Sequence, residues 1–240
     1  MANQLTQEHA KAMYDLALSM QRASNFVYAA RVAKQLTELD EPFYQPFALA
    51  VESQCYYSLG QHALENEVLK RITRLTPEQK QLLNPNWLAV CYQRTGDFRS
   101  ARAVIDEVLQ LAPHDVGATA ARAEISLLQG DATEAEGWAR KLRERPEPTF
   151  QILGRLFAAF ALARQNRQEE SRSELTWIGQ FILSSGNIPT GFWDYRDIIP
   201  LLDGIGPNAE TAGLVLAALS NRIQFPEFAD KWKAASLIQQ

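Results

Sequence analysis

The chain is poor in the residues that reactive, redox and metal sites are built from. Its 240 residues hold two cysteines, Cys55 and Cys91, and three histidines, His9, His62 and His114. Two thiols in a chain of this length make no disulfide framework. The histidines are scattered, with no second ligand at helical spacing, so neither a metal nor a cofactor is expected. Long apolar runs are also missing. The longest uncharged stretch, Leu175 to Trp193, is broken by Gln180, Ser184, Ser185, Asn187 and Pro189, which excludes a membrane span there. Nor is there an excess of one charge sign: 28 acidic and 24 basic residues are interleaved, for a net charge of -4. A nucleic-acid surface needs concentrated positive charge and is not expected. The amino-terminal "MANQLTQEHAKAMYDL" lacks a basic stretch followed by an apolar run, so the expectation is a cytoplasmic protein without a secretory leader.

What the chain has is repetition. With 46% hydrophobic residues it can bury a substantial core. Turn residues recur at Asn25, Gly60, Gly96, Gly130 and Asn166, in steps of 35, 36, 34 and 36. Gly and Asn are the types that most readily take the left-handed backbone of a tight helix-to-helix turn. A proline follows 17 residues later in three units, at Pro42, Pro77 and Pro113. Five residues after each turn stand Ala30, Glu65, Ala101, Ala135 and Ser171; seven before it stand Leu18, Ser53, Ala89, Ala123 and Ala159. Most are small, as antiparallel helices in close contact require. Positions nine and twelve after the turn pair Leu69 with Ile72, Ile105 with Val108, Ala139 with Leu142, and Leu175 with Ile178 on one helical face. The first unit gives Lys34 and Thr37 instead, which implies a shifted register.

The order Ala89, Tyr92, Gly96, Phe98, Ala101 and Pro113 resembles the tetratricopeptide repeat. The resemblance implies an all-α fold: an α-solenoid of about five helix-turn-helix repeats with a C-terminal helical cap. The array is expected over residues 8 to 180, with units at 11–44, 46–79, 82–115, 116–149 and 152–185. Residues 186 to 240 are expected to cap or dock, with helices near 192–203, 208–222 and 226–238. Cys55 and Cys91 each lie five residues before a turn glycine, and buried packing is their expected role.

No catalytic arrangement stands out. "GIGPNA", Gly204 to Ala209, has the bare form of a dinucleotide loop, but no strand pattern precedes it and Pro207 interrupts it, so a turn between cap helices is expected. Glu169 and Glu170 read as part of a solvated turn.

The resemblance instead implies protein binding by the first helix of each repeat. Its ligand positions fall at Phe47, Gln54, Tyr57 and Ser58; at Asn86, Trp87, Val90, Gln93 and Arg94; at Ala121, Glu124, Leu127 and Leu128; and at Leu153, Phe157, Phe160 and Arg164. The residues expected to carry binding are Gln54, Tyr57, Trp87, Val90, Gln93, Arg94, Glu124, Phe157, Phe160 and Arg164. Relatives that clamp a chaperone's terminal carboxylate use Lys and Asn where this chain has Asp15, Ser19, Ala120 and Glu124. A hydrophobic or helical peptide is therefore the better expectation. Trp87, Phe157 and Phe160 have an alternative role, packing on neighbouring helices or on the C-terminal region. The functional expectation is a non-enzymatic adaptor or chaperone-like scaffold. The alternative is a homo-oligomer organised by Phe192, Trp193, Tyr195 and the last helix, whose Phe225, Phe228, Trp232 and Ala235 lie near one face.

Overall fold

A computed structural model describes the backbone of residues 2–39 and 41–238, and side chains over 6–39 and 41–235. Asp40 of the first unit, the chain's first residue and its last two lie outside these. Among the described residues the regular structure is helical throughout. Helices α1 (Ala2–Arg22) and α2 (Phe26–Thr37) come first, then α3 (Gln45–Ser58) and α4 (His62–Thr73). A short α5 (Pro77–Lys80) precedes α6 (Pro85–Arg94) and α7 (Phe98–Leu111). Then follow α8 (Val116–Gln129) with α9 (Ala132–Arg143), and α10 (Pro148–Arg164) with α11 (Gln168–Ser185). Two 3-10 turns, Ile199–Gly204 and Gly206–Asn208, lead to α12 (Ala209–Leu219) and α13 (Phe225–Ile238).

The five turns share one hydrogen bond. The amides of Asn25, Gln61, Asp97, Asp131 and Arg167 donate to the carbonyls of Met20, Tyr56, Tyr92, Ser126 and Leu162, at 2.8 to 2.9 Å. Each bond spans five residues and closes over a left-handed residue, which satisfies a carbonyl that the helix end leaves open. The left-handed residues are Ser24, Gly60, Gly96, Gly130 and Asn166. Asn25, expected in that role, has φ -89°. The proline spacing had placed the first turn one residue late. Counted from Ser24, positions nine and twelve are Ala33 and Leu36, both buried, in place of Lys34 and Thr37.

In "TGD" and "QGD" the glycine reverses the chain and the aspartate starts the next helix. Asp97 Oδ1 accepts from the Ser100 amide at 3.1 Å, and Asp131 Oδ1 from the Glu134 amide at 3.0 Å. Asp97→Ala should cost about 1 kcal/mol in denaturant unfolding. The Ser100 side chain and then its amide hold the Asp97 carboxyl below its usual range. That contribution is present above the ordinary aspartate pKa of about 4 and is lost as pH falls through the lowered value. The gap between wild type and variant should therefore close in acid.

The chain forms two compact units, Met1–Glu107 and Val108–Gln240, divided inside α7. In the first unit Ala17, Ala29, Ala33, Val51 and Cys55 pack together, and Leu49, Leu69, Ile72, Leu88 and Cys91 form a second cluster. Burial pushes the Cys55 thiol up to about 11 and Cys91 to about 12, so both stay protonated and unreactive at neutral pH. In the second unit α10 lies close on α9. A Cβ on Gly154 would come within 2.7 to 2.8 Å of Ala139 O, the Arg143 amide and Leu142 Cβ.

Residues 186–238 join the core of this second unit. Phe228 and Trp232 of α13 stack at 5.5 Å, and the Trp232 indole fills the space where Gly179 of α11 has no side chain. The helix expected near 192–203 does not form. Gly191 takes φ 78°, Pro200 stands in the 3-10 turn, and residues 192–198 are bends and turns. "GIGPNA" is a turn between the 3-10 segment and α12.

Candidate functional site

In the first unit the expected ligand positions lie on α3 and α6. Gln21 Nε2 of α1 donates to Gln54 Oε1 of α3 at 2.9 Å, which places both on one face. One helical turn further along, Tyr57 is 39% exposed. Trp87 and Val90 are half-buried, and the Trp87 ring packs against the cluster around Leu49 and Leu88. Asn84 Oδ1 caps α6 by accepting from the Trp87 amide at 3.2 Å. At the start of α3, Tyr14, Phe43, Tyr44 and Phe47 form a ring cluster with centroids 5.1 to 5.9 Å apart. Phe43 is exposed there. Sequence reasoning took only Phe47 from this cluster; the aromatic density of "FYQPF" was the signal for the rest.

Arg94 has a different role from the one expected. Its Nη1 donates to Glu65 Oε1 at 3.2 Å, and Glu65 is buried at a position where the other units carry Ala or Ser. The carboxylate also faces His62 Nδ1 at 3.2 Å. Arg94 neutralises a charge inside the array, and removing it would leave that charge buried. Gln93 is likewise buried and offers no contact surface.

In the second unit the corresponding face is covered. Phe157, Phe160 and Glu124 are all buried. The Trp193 ring meets Phe157 edge-on, with centroids 6.1 Å apart and planes at 77°. Tyr195, 2% exposed, lies in the field of Glu124; burial first, and that carboxylate second, push its hydroxyl pKa up. Arg164 donates through Nη1 to the Leu127 carbonyl, so it joins α10 to α8. Glu124, Phe157, Phe160 and Arg164 are therefore packing residues here. Part of this cover comes from residues 188–198, where Trp193 meets Phe157 and Tyr195 lies in the field of Glu124, contacts that no helical periodicity records. Gln54, Tyr57, Trp87 and Val90 remain as surface candidates.

The charged cleft on α9, α10 and α11 encloses about 290 Å³ and is lined by Glu136, Arg143, Arg167, Glu170 and Glu174 among others. Its charges are satisfied internally. Glu174 accepts from Arg143 and, at 2.7 Å, from Arg155; Arg167 bridges Glu136 and Glu170, each at 2.7 Å. Arg167 holds the Glu170 carboxyl below its usual range, the opposite of what a general acid needs. Among the described residues no cluster of three metal-ligating side chains occurs, and no helix is long and apolar enough to cross a membrane.

These helix pairs define the class: the chain is tetratricopeptide-like, an all-α repeat fold. No protein-family model and no curated protein matches the sequence. Among solved structures, it is similar to a chain in the crystal structure of the APC/C hetero-tetramer Cut9–Hcn1, at TM-score 0.50 and 14% identity. That match covers 94% of this chain but 42% of the other, so the chain spans less than half of that protein's length. The tetratricopeptide domain of P58(IPK) also matches, at TM-score 0.36 and 12% identity, over 97% of this chain and 67% of that one. At 14% identity the likeness to the Cut9–Hcn1 chain shows the fold alone.

Proposed function

We propose that this protein is a non-enzymatic interaction scaffold, an adaptor or chaperone-like factor, that binds a peptide or helical segment of a partner protein on the α1, α3 and α6 face. The observation that carries this reading is the contrast between the units. Gln54 and Tyr57 of α3 are exposed, whereas Glu124, Leu127, Phe160 and Ala163 at the equivalent positions of the second unit are buried. An amphipathic tyrosine flanked by amides suits a peptide, because it supplies apolar area and a polar tip at low entropic cost. A chain of similar fold is part of a protein hetero-tetramer, which supports the class of function. The register counted from Ser24 places Tyr14 and Leu18 where the first repeat of a carboxylate clamp would hold Lys and Asn, so that mode is again disfavoured.

Self-assembly through the C-terminal aromatics is the weaker reading, since Trp193, Tyr195, Phe228 and Trp232 are engaged within their own unit.

The test compares immobilised wild type, a Gln54→Ala, Tyr57→Ala double variant, and Leu64→Ala, which removes an exposed apolar residue of α4. A partner held by wild type and by Leu64→Ala should be reduced at least about tenfold with the double variant, a loss of about 1.4 kcal/mol. Equal capture by all three proteins at matched folded content would remove this face from the function.

A further inference from the structure

The rings of Tyr14, Phe43, Tyr44 and Phe47 form a closed circuit. Tyr14 meets Tyr44 at 5.9 Å and Phe47 at 5.8 Å, and Phe43 meets the same two rings at 5.1 and 5.7 Å. Their planes are inclined at 44° to 84°, so none of these contacts is face-to-face stacking. Part of the cluster is packed, with Tyr14 and Tyr44 against Ala10, Leu36 and Ala48. The rest is open to solvent: Phe43 is 46% exposed, and the other three residues are half-buried.

Phe43 lies in the turn before α3, yet the peptide groups on both sides of it are held. Glu41 Oε2 accepts from the Tyr44 amide at 2.9 Å. Gln79 Nε2 donates to the Pro42 carbonyl at 3.0 Å and to Gln45 Oε1 at 2.9 Å. Gln79 is itself fixed by the capping box of α5, in which its Oε1 accepts from the Thr76 amide at 3.1 Å. An exposed ring held in this way is ordered before any ligand arrives, which removes an entropic cost of binding.

The charge beside the rings is negative. Glu41 is tied to the cluster through the Tyr44 amide. Asp15 adjoins Tyr14; burial first and the Asp15 charge second push the Tyr14 hydroxyl pKa up, so that charge is felt at the ring. Lys11 pairs with Asp15 at 2.8 Å, which leaves the Glu41 charge in excess. A cation resting on the rim of a circuit this size lies within about 6 Å of each ring centroid, the range over which an aromatic face attracts it.

We propose that these four rings bind a quaternary ammonium group. Ring faces attract a cation without accepting strong hydrogen bonds, which suits one that has no N–H to satisfy. A primary ammonium is strongly hydrated and loses more on entering such a site. The group belongs either to a free choline-like molecule or to a trimethylated lysine side chain. The site borrows Tyr14 and Phe47 from α1 and α3 but does not rest on peptide capture at Gln54 and Tyr57.

Calorimetric titration of the full chain tests this, with choline chloride as the probe. Choline should bind saturably, and its neutral isostere, with carbon in place of nitrogen, about tenfold more weakly or worse. Equal binding of the two would reduce the cluster to an apolar patch and overturn the proposal, as would no saturable binding of choline. Phe43→Leu keeps apolar area at an exposed position while removing a ring; it should lose about tenfold in choline affinity, and an unchanged affinity contradicts the site. Glu41→Gln retains an acceptor for the Tyr44 amide and should weaken choline but not the neutral isostere. Equal effects on both would remove the charge from the account. A trimethyl-lysine peptide titrated in parallel separates the two sources: tighter binding than choline names the side chain, and weaker binding names the free molecule. The Gln54→Ala, Tyr57→Ala variant should bind choline as wild type does, so failure of the peptide-binding face and failure of this site are read separately.

Discussion

Glu134→Ala should lower the unfolding free energy by about 3 kcal/mol and the melting midpoint by roughly 6 to 12 °C. Arg122 is 1% exposed, and its guanidinium donates to Glu134 at 2.6 and 3.2 Å and to Ser126 Oγ at 2.8 Å. Ser126 Oγ in turn donates to the Arg122 carbonyl, and the Trp138 ring lies 5.8 Å from the guanidinium carbon. Removing the carboxylate leaves a charge inside the α8–α9 hairpin that water cannot reach. Removing both charges has a different consequence, because the desolvation cost disappears with them. Arg122→Met combined with Glu134→Met should recover most of the loss. Thermal unfolding of the single and double variants distinguishes this account from a surface pair, for which Glu134→Ala would cost no more than about 1 kcal/mol.

Gly179→Ala should be nearly as damaging, at about 3 kcal/mol, although it adds one methyl group. An added Cβ would lie 2.0 to 2.3 Å from three atoms of the Trp232 ring, so the indole must move. The expected response is release of α13 with Trp232 moving into water, read as a red shift in tryptophan emission absent from a Trp232→Phe control. Because the conflict is between two side chains, shrinking the second relieves it. Gly179→Ala with Trp232→Leu should be less destabilised than the sum of the single changes. Strict additivity would mean that the glycine is needed for something other than this ring.

Much of this architecture can be read from the turns, since a left-handed residue followed by an amide bonded five residues back is a local event. "TGD" and "QGD" state it openly. The first turn was misplaced because Asn25 has the more familiar side chain, whereas Ser24 takes the positive φ; the buried pair Ala33 and Leu36 corrects the count. The C-terminal region was less legible. Apolar residues between 192 and 203 fit a helical pattern, yet they are apolar because they cover α8 and α10, and burial of an irregular strap leaves the same composition as burial of a helix. That cover also helps bury Phe157 and Glu124. Arg94 was misread for a related reason: its partner Glu65 lies 29 residues earlier. The signal was present in two halves, an acidic residue at a small-residue position and an arginine in the following repeat.

Fold and function meet in the different treatment of the two sets of first helices. In the second unit an apolar face is closed by the chain's own aromatics. In the first unit Gln21 of α1 is hydrogen-bonded to exposed Gln54, and Tyr57 is exposed beside it; this polar face is the one proposed to bind.

Site-specific photocrosslinking in cells tests that claim most directly. A benzophenone amino acid would replace Gln54 or Tyr57 on the proposed face, and Ala63 or Thr133 at exposed positions on second helices. The account predicts one shared protein adduct from positions 54 and 57, absent from 63 and 133. Adducts of equal yield from all four positions, or none from 54 and 57 while 63 or 133 captures the partner, would contradict it.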